Sequence, residues 1–364
     1  MAKVVVVGGG YGGITVAGGL DDFADVVLIE QKDRFVHHAA ALRAAVDPVW
    51  RDAIFMPYSR LLQRGKVVHG TAMRVEGTTV HVTGHEPITG DYLVLATGTT
   101  YPYPAKHMVS QAYVAKLRLE QTQNSLADAR RVLLVGAGTV GVEFAGELTS
   151  AFPHLEITMV DKADTILGTE GYLPQLRESI SQQLQERGVH LVLGSPLAYS
   201  PPVDVGVLSP FQVSTAAGVN IEADIWFLCH GSRTASGYLN AAYGDVLHPN
   251  GRIKVNKYLQ VEGTERVFAV GDITDVPESK RADAARAHAR VVIANIRNLM
   301  TGEPMATSYL PGKEWVILPL GPDSGASQLV DQNGETKIVG PRETAEIKGT
   351  DLMVSLIRNQ LRLP

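Results

Sequence analysis

The chain opens on an apolar run with no polar position alternating through it. Lys3-Val4-Val5-Val6-Val7 is β-branched throughout, the pattern of a strand covered on both faces in a parallel sheet. Gly8-Gly9-Gly10-Tyr11-Gly12-Gly13 interrupts it, and Ile14–Leu20 then predicts a helix. A second apolar run, Asp25-Val26-Val27-Leu28-Ile29, stops at Glu30-Gln31. The same succession returns later in the chain. Arg131–Val135 predicts a strand, Gly136-Ala137-Gly138-Thr139-Val140-Gly141 a loop, Val142–Leu148 a helix and Glu156–Val160 a strand closed by Asp161. Asp91–Gly98 and Glu265–Asp272 each read as a strand running into a turn, Ala96-Thr97-Gly98 in one and Gly271-Asp272 in the other. A long helix is predicted over Arg281–Leu299, a stiff inter-domain linker at Tyr101-Pro102-Tyr103-Pro104 and a loop at Ser200-Pro201-Pro202.

The glycine spacing has a physical purpose at each position. Gly8 permits a tight turn, Gly10 lets the backbone approach a pyrophosphate, and Gly13 lets the helix pack closely on the strand. The free N–H groups of the helix start then face the phosphates. The acid that ends the second strand, Glu30 or Asp161, is placed to bond a ribose hydroxyl. One such unit binds one dinucleotide. Two units therefore predict two dinucleotides, or a duplicated unit that has lost its ligand; both copies keep three glycines and the acid, which favours two ligands.

Composition changes this picture little. At 364 residues two or three domains are expected. Hydrophobic residues at 45%, charged residues at 20% and a net charge of -5 describe an ordinary globular chain with no electrostatic call on nucleic acid. Val4–Val7 and Val132–Val135 are too short to cross a bilayer. Met1-Ala2-Lys3 leads straight into a strand, so no signal peptide is expected. The single cysteine, Cys229, suits a reducing cytoplasm and reads as an inert core residue. No metal site is expected.

In this context the Ala96-Thr97-Gly98 turn and the Gly271-Asp272 turn resemble segments of the two-dinucleotide flavoprotein reductases, the family of glutathione reductase and the type II NADH dehydrogenases. The resemblance implies that Asp272 hydrogen-bonds the ribityl chain of FAD and that the Ala-Thr-Gly turn lies between the two domains. The first unit, with Gly8, Gly10, Tyr11, Gly12, Gly13, Glu30 and Gln31, would then be the FAD site. The second, with Gly136, Gly138, Thr139, Val140, Gly141 and Asp161, would take the nicotinamide cofactor. Ala223–Gly231 stands where a strand leads back into the FAD domain. The expected fold is α/β: two Rossmann-like three-layer domains and a small C-terminal α+β region. The FAD-binding domain would comprise 1–105 and 229–300, the NAD(P)H-binding domain 106–228, and the C-terminal region 301–364.

A narrower resemblance rests on Phe35-Val36-His37-His38-Ala39-Ala40-Ala41-Leu42-Arg43-Ala44, Leu259–Gly263, Ala287–Ile296 and the Leu-Gly-Pro-Asp pattern within Trp315–Gln328. These are similar to the ferroptosis-suppressor branch of the apoptosis-inducing-factor-like flavoproteins, whose members reduce quinones with NAD(P)H through FAD. Ala2 stands where animal members carry the glycine for myristoylation, so that anchor is not expected. The resemblance implies that the C-terminal region covers the flavin and shapes a homodimer or membrane contact. Leu352–Leu363 is apolar with two basic residues and fits either a membrane-surface helix or one packed on the core.

Cysteine usage sets the reaction type. Disulfide reductases of this kind place a cysteine pair beside the flavin, and the corresponding segment here, 37–43, has no sulfur. One cysteine makes no internal dithiol, so electrons must go directly to an external acceptor or to dioxygen. The expected chemistry is ping-pong hydride transfer from NAD(P)H through FAD to a quinone-like small molecule. A ferredoxin-like protein acceptor and a redox-sensing role are alternatives. Lys280, just before the long helix, could stabilise reduced flavin or orient the acceptor, or be a solvated lysine. Glu143 could touch the nicotinamide or be a helix-surface carboxylate. His37 and His38 line the pocket or bond structurally. Arg43, on the resemblance, contacts FAD phosphate; a salt bridge is the alternative. Asp161 should repel a 2′-phosphate and favour NADH over NADPH, with Lys162 partly offsetting its charge.

Overall fold

A computed structural model describes residues 1–364 apart from the side chains of 240 and 241. The apolar runs form two parallel sheets. The first orders its strands Val267–Ala269, Tyr92–Leu95, Lys3–Val7, Asp25–Glu30 and Lys66–His69, all parallel. The second orders His190–Val192, Glu156–Val160, Arg131–Val135 and Ile225–Leu228, again all parallel.

Burial on both faces explains the unbroken apolar runs. In the first sheet Val4, Val6, Val26, Leu28 and Phe268 pack against the helices Tyr11–Leu20 and Ala282–Met300. Their neighbours Val5, Val7, Val27, Ile29 and Leu95 meet Val75, Val80 and Val82 of an antiparallel sheet. The second sheet repeats the scheme. Val132, Leu134, Ile157 and Phe227 face the helices Thr139–Ala151 and Pro174–Glu186, whereas Leu133, Val160 and Trp226 face the hairpin Phe211–Ser214/Asn220–Ala223. Each unit thus has three layers, and the third layer is β rather than helical.

Both dinucleotide-loop helices begin earlier than the sequence pattern predicts, at Tyr11 and Thr139. Glycine disfavours helix interiors, but here packing decides: a Cβ on Gly13 would lie 1.8 Å from Gly8 O, and one on Gly141 1.9 Å from Gly136 O. Ala223–Gly231 contributes Ile225–Leu228 to the second sheet, so the chain recrosses only afterwards. Its return strand, Arg233–Thr234, pairs antiparallel with the outgoing Thr99–Thr100. Tyr101–Pro104 is not a free spacer: Tyr103 is buried and bonds Thr122 at 2.7 Å, and Tyr101 Oη donates to Cys229 O at 2.6 Å.

The C-terminal region touches both units. Its antiparallel sheet, Val316–Pro319, Gly325–Val330 and Thr336–Val339, packs on the second unit, where Leu320 presses on Gly146. The last helix, Val354–Gln360, sinks Ile357, with Leu361 beyond it, into the helix face of the first unit, and Gln360 donates to Thr15 Oγ1 at 2.6 Å. Of its apolar side chains Leu356 is left exposed. No helix among the described residues is long and apolar enough to cross a membrane.

Candidate functional site

The carboxyl ends of both parallel sheets open into one cleft of about 1400 Å³. Single-ligand pockets run to roughly 300–1,000 Å³, so the space suits two extended ligands. Gly8, Gly10, Tyr11 and Gly12 line one side and Gly136, Gly138 and Thr139 another.

The two loops are built alike. Gly8 and Gly136 take φ of +104° and +116°, left-handed values open to glycine. Gly10 and Gly138 cap their helices without a side-chain hydrogen bond, and a Cβ added at either would meet nothing within 4 Å. These are cradles with free N–H groups, the donor set a pyrophosphate needs. The acids tie the loops down. Glu30 accepts from Gly9 N at 2.5 Å and Lys32 N at 2.8 Å; Asp161 accepts from Ala137 N at 2.6 Å and Ala163 N at 2.9 Å.

Beside the first cradle, Asp272 accepts from Thr99 Oγ1 at 2.7 Å and lies 3.5 Å from Lys106 Nζ. Lys106 also donates to Thr99 O at 2.8 Å. Burial lowers its pKa, against the pull of Asp272. Lys280 donates to Val276 O at 2.7 Å, and burial, aided by Arg252, lowers its pKa to about 8. The start of the helix Ala282–Met300 borders the cleft through Ala282, Asp283 and Arg286.

The opposite wall carries a half-buried ion pair, backed by a buried one behind it. Glu143 receives Lys348 Nζ at 2.9 and 3.0 Å, and burial still raises its carboxyl pKa. One helical turn on, Glu147 takes both ends of the Arg43 guanidinium at 2.9 Å. Trp315, Ile317 and Met353 complete an apolar stretch of cleft wall. His37 bridges the first loop to the C-terminal segment. Ala39 N–H donates to Tyr11 Oη, which lies 3.0 Å from His37 Nδ1, and His37 Nε2 lies 2.6 Å from Leu352 O. That arrangement calls for the Nε2–H tautomer, and burial lowers the imidazole pKa to about 4. His38 Nε2 is buried with no partner, and burial again holds the ring well below its usual pKa.

The cleft brings together Gly8, Gly10, Tyr11, Gly12, Glu30, Gln31, Ala96, Thr97, Gly98, Gly136, Gly138, Thr139, Asp161, Gly231, Gly271, Asp272, Lys280, Glu143, His37 and His38. Four predicted contacts lie elsewhere. Arg43 does not reach a phosphate: it is 4% exposed, paired with Glu147 and bonded to Gly349 O, tying the first unit to the second and to the C-terminal region. Gly13 and Gly141 sit against their own loops, and Val140, partly buried, packs against the core. Glu143 is no surface carboxylate, since it is paired inside the cleft wall. Lys106, Lys348 and Trp315 also line the cleft although no motif of the sequence contains them: Lys106 lies seven residues beyond Thr99, and the other two belong to the C-terminal region. Cys229 borders the cleft but is 3% exposed, and burial pushes its thiol up to about 12.

Comparison with known proteins agrees with this architecture. A family model described as pyridine nucleotide-disulphide oxidoreductase matches residues 2–289. Ferroptosis suppressor protein 1 of Taeniopygia guttata is 35% identical over 365 residues, covering 97% of this chain and 94% of its own. Apoptosis-inducing factor homolog B of Dictyostelium discoideum is 30% identical over 382 residues, covering 100% and 97%. The solved sulfide:quinone oxidoreductase of Aquifex aeolicus shares the fold at a TM-score of 0.78 with 18% identity, over 100% of this chain and 92% of that one.

Proposed function

The chain belongs to the pyridine nucleotide-disulphide oxidoreductase family as an FAD-dependent NAD(P)H oxidoreductase, and from that premise we propose that it reduces a quinone-like small molecule, with NADH as donor. The observation that carries this is the cleft itself: two phosphate cradles meet in one space that holds no dithiol, with a lone buried cysteine whose thiol is pushed up to about 12. Electrons leaving the flavin then have no sulfur pair within the chain to visit, and the acceptor enters the cleft.

FAD, when bound, would supply two-electron chemistry that links a hydride donor to a separate acceptor. The first unit, 1–105 with 229–300, would hold it through Gly8, Gly10, Gly12, Glu30, Gln31, Ala96–Gly98, Gly271 and Asp272. Residues 106–228 would hold the nicotinamide through Gly136, Gly138, Thr139 and Asp161, with Gly231 of the returning chain beside them, and residues 301–364 would close the site. Asp161 supports NADH, because backbone N–H groups fix its carboxylate at the strand end, where it repels a 2′-phosphate. Lys280 offers a desolvated cation for negative charge arising in the cleft. Trp315, Ile317 and Met353 offer a flat apolar acceptor a surface that excludes water. A sulfide:quinone oxidoreductase shares the fold.

Stopped-flow spectra test this reading. NADH should bleach the flavin faster than NADPH, and menadione or a short-chain ubiquinone should restore the oxidised spectrum within turnover time. A bleached or long-wavelength species that persists through quinone addition would overturn the acceptor assignment, and a protein purified without FAD would overturn the whole reading.

A further inference from the structure

The turn that presents Asp272 is held from behind by a buried polar chain that none of the assignments above uses. Gly271 takes φ of +74°, and a Cβ there would lie 3.0 Å from Ala285 Cβ, so the turn sits directly on the helix Ala282–Met300. One turn along that helix, on the same face as Ala285, comes His288, 0% exposed. Its Nδ1 accepts the Gly271 N–H at 3.0 Å. Its Nε2 lies 2.7 Å from Glu278 Oε1, off the hydrogen-bond line, and Tyr309 Oη donates to the other Glu278 oxygen at 2.6 Å. The ring also packs edge-on against Tyr309, centroids 4.3 Å apart.

An imidazole that accepts at Nδ1 must carry its proton on Nε2, which here faces a carboxylate. The arrangement therefore selects one tautomer. The opposite tautomer would set an N–H against the Gly271 N–H and leave two buried donors facing each other. A helix packed on a turn for bulk alone would need an apolar side chain at 288, not a ring with one nitrogen on an amide N–H and the other 2.7 Å from a carboxylate oxygen.

We infer that His288 is a positioning residue for the cofactor site: by accepting the Gly271 N–H it fixes the turn that aims the Asp272 carboxylate into the cleft, with Glu278 and Tyr309 setting its tautomer. This rests on the placement of FAD against Asp272 proposed above. Among the described residues the Gly271 N–H meets no other acceptor, so the imidazole carries that bond alone. Glu278 also lines the cleft and is an ionic neighbour of Lys280, so the same chain ties the Asp272 turn to the Lys280 loop.

The test separates hydrogen bonding from bulk. His288→Asn keeps an acceptor where Nδ1 stands, His288→Gln offers a polar group only at the Nε2 end, and His288→Leu keeps volume alone. FAD dissociation constants and visible flavin spectra are measured for the purified full-length protein and each variant, alongside apoprotein melting. The inference expects His288→Asn to bind FAD within about threefold of wild type, with an unshifted spectrum. His288→Gln and His288→Leu should bind it about tenfold or more weakly, as loss of a buried acceptor predicts. Equal affinities for the Asn and Leu variants, or tighter binding by Leu, overturn it. Should the variants not fold, selectively ¹⁵N-labelled wild-type protein decides. Coupling across the hydrogen bond between the Gly271 amide nitrogen and an imidazole nitrogen is expected, and its absence overturns the inference. Wild-type protein that binds no FAD but shows this coupling instead removes the cofactor placement and leaves the contact standing.

Discussion

Lys280 and Arg43 are both cations pulled out of water, and their surroundings give them opposite duties. Lys280 borders the cleft with its pKa lowered to about 8, chiefly by burial, so it is an ammonium below that pH and an amine above it. Any step helped by its charge must weaken as pH rises through about 8. The kcat/KM for a quinone should show that descending limb in wild type. Lys280→Arg should carry it to higher pH, and Lys280→Met should lose about tenfold at pH 7 with the limb gone; an identical profile in wild type and Lys280→Met would remove the lysine from the chemistry. Arg43 instead lies away from the cleft with its Nε and Nη2 on Glu147 and its Nη1 on Gly349 O, the Arg43 and Glu147 side chains both 5% exposed. Removing one member of such a pair strands the other, a cost of about 3–5 kcal/mol. Arg43→Met should therefore lose roughly that much in denaturant unfolding while the folded fraction still binds FAD; lost affinity at unchanged stability would restore the phosphate contact that the family resemblance implied. The sequence could not separate these fates. Arg43 and Glu147 are 104 residues apart, and an arginine on a short helical pattern is compatible with a phosphate or a carboxylate partner.

At the scale of the element, the two glycine loops were legible because local geometry dictates them. Turn, cradle and tight packing each demand glycine within a few residues, and the strand patterns on either side are unbroken. The third layers were not legible, since Ala72–Glu76 and Thr79–Val82 are short and bury only Val75 in the one and Val80 and Val82 in the other. The loops also make a prediction in which glycines of one motif part company. A Cβ on Gly10 or Gly138 enters open space, whereas one on Gly13 or Gly141 collides with a backbone carbonyl. Gly10→Val should fold with a melting temperature near wild type and fail to retain FAD. Gly138→Val should keep FAD and bind NADH at least about tenfold more weakly. Gly13→Ala and Gly141→Ala should lower the melting temperature first, because the helix must lift from the strand. Circular dichroism melting with flavin content measures all four, and a Gly10→Val protein that melts early would place the valine against protein rather than ligand space.

Across the whole molecule the cleft is completed by the stretch of chain whose role the sequence pattern said least about. Ala345–Gly349 and the residues up to Met353 are fastened at three points: Lys348 to Glu143, Gly349 O to Arg43, and Leu352 O to His37. Two of these anchors belong to the first unit and one to the second, so the segment can be seated only when both units are folded and in place. Its backbone reflects that constraint. Leu352 and Met353 take φ of +48° and +65° in succession, left-handed values that side-chain-bearing residues adopt at a cost of about 1–3 kcal/mol each. The anchors must outweigh that cost. Lys348→Met removes one anchor and leaves Glu143 half-buried without its cation, which raises its carboxyl pKa further, since Lys348 is the largest influence opposing desolvation there. Hydrogen exchange should then quicken in peptides spanning 345–353 and remain unchanged in those of both parallel sheets, while the KM for NADH rises more than kcat falls. Faster exchange throughout the sheets would mean the segment holds the two units together rather than closing the space between them.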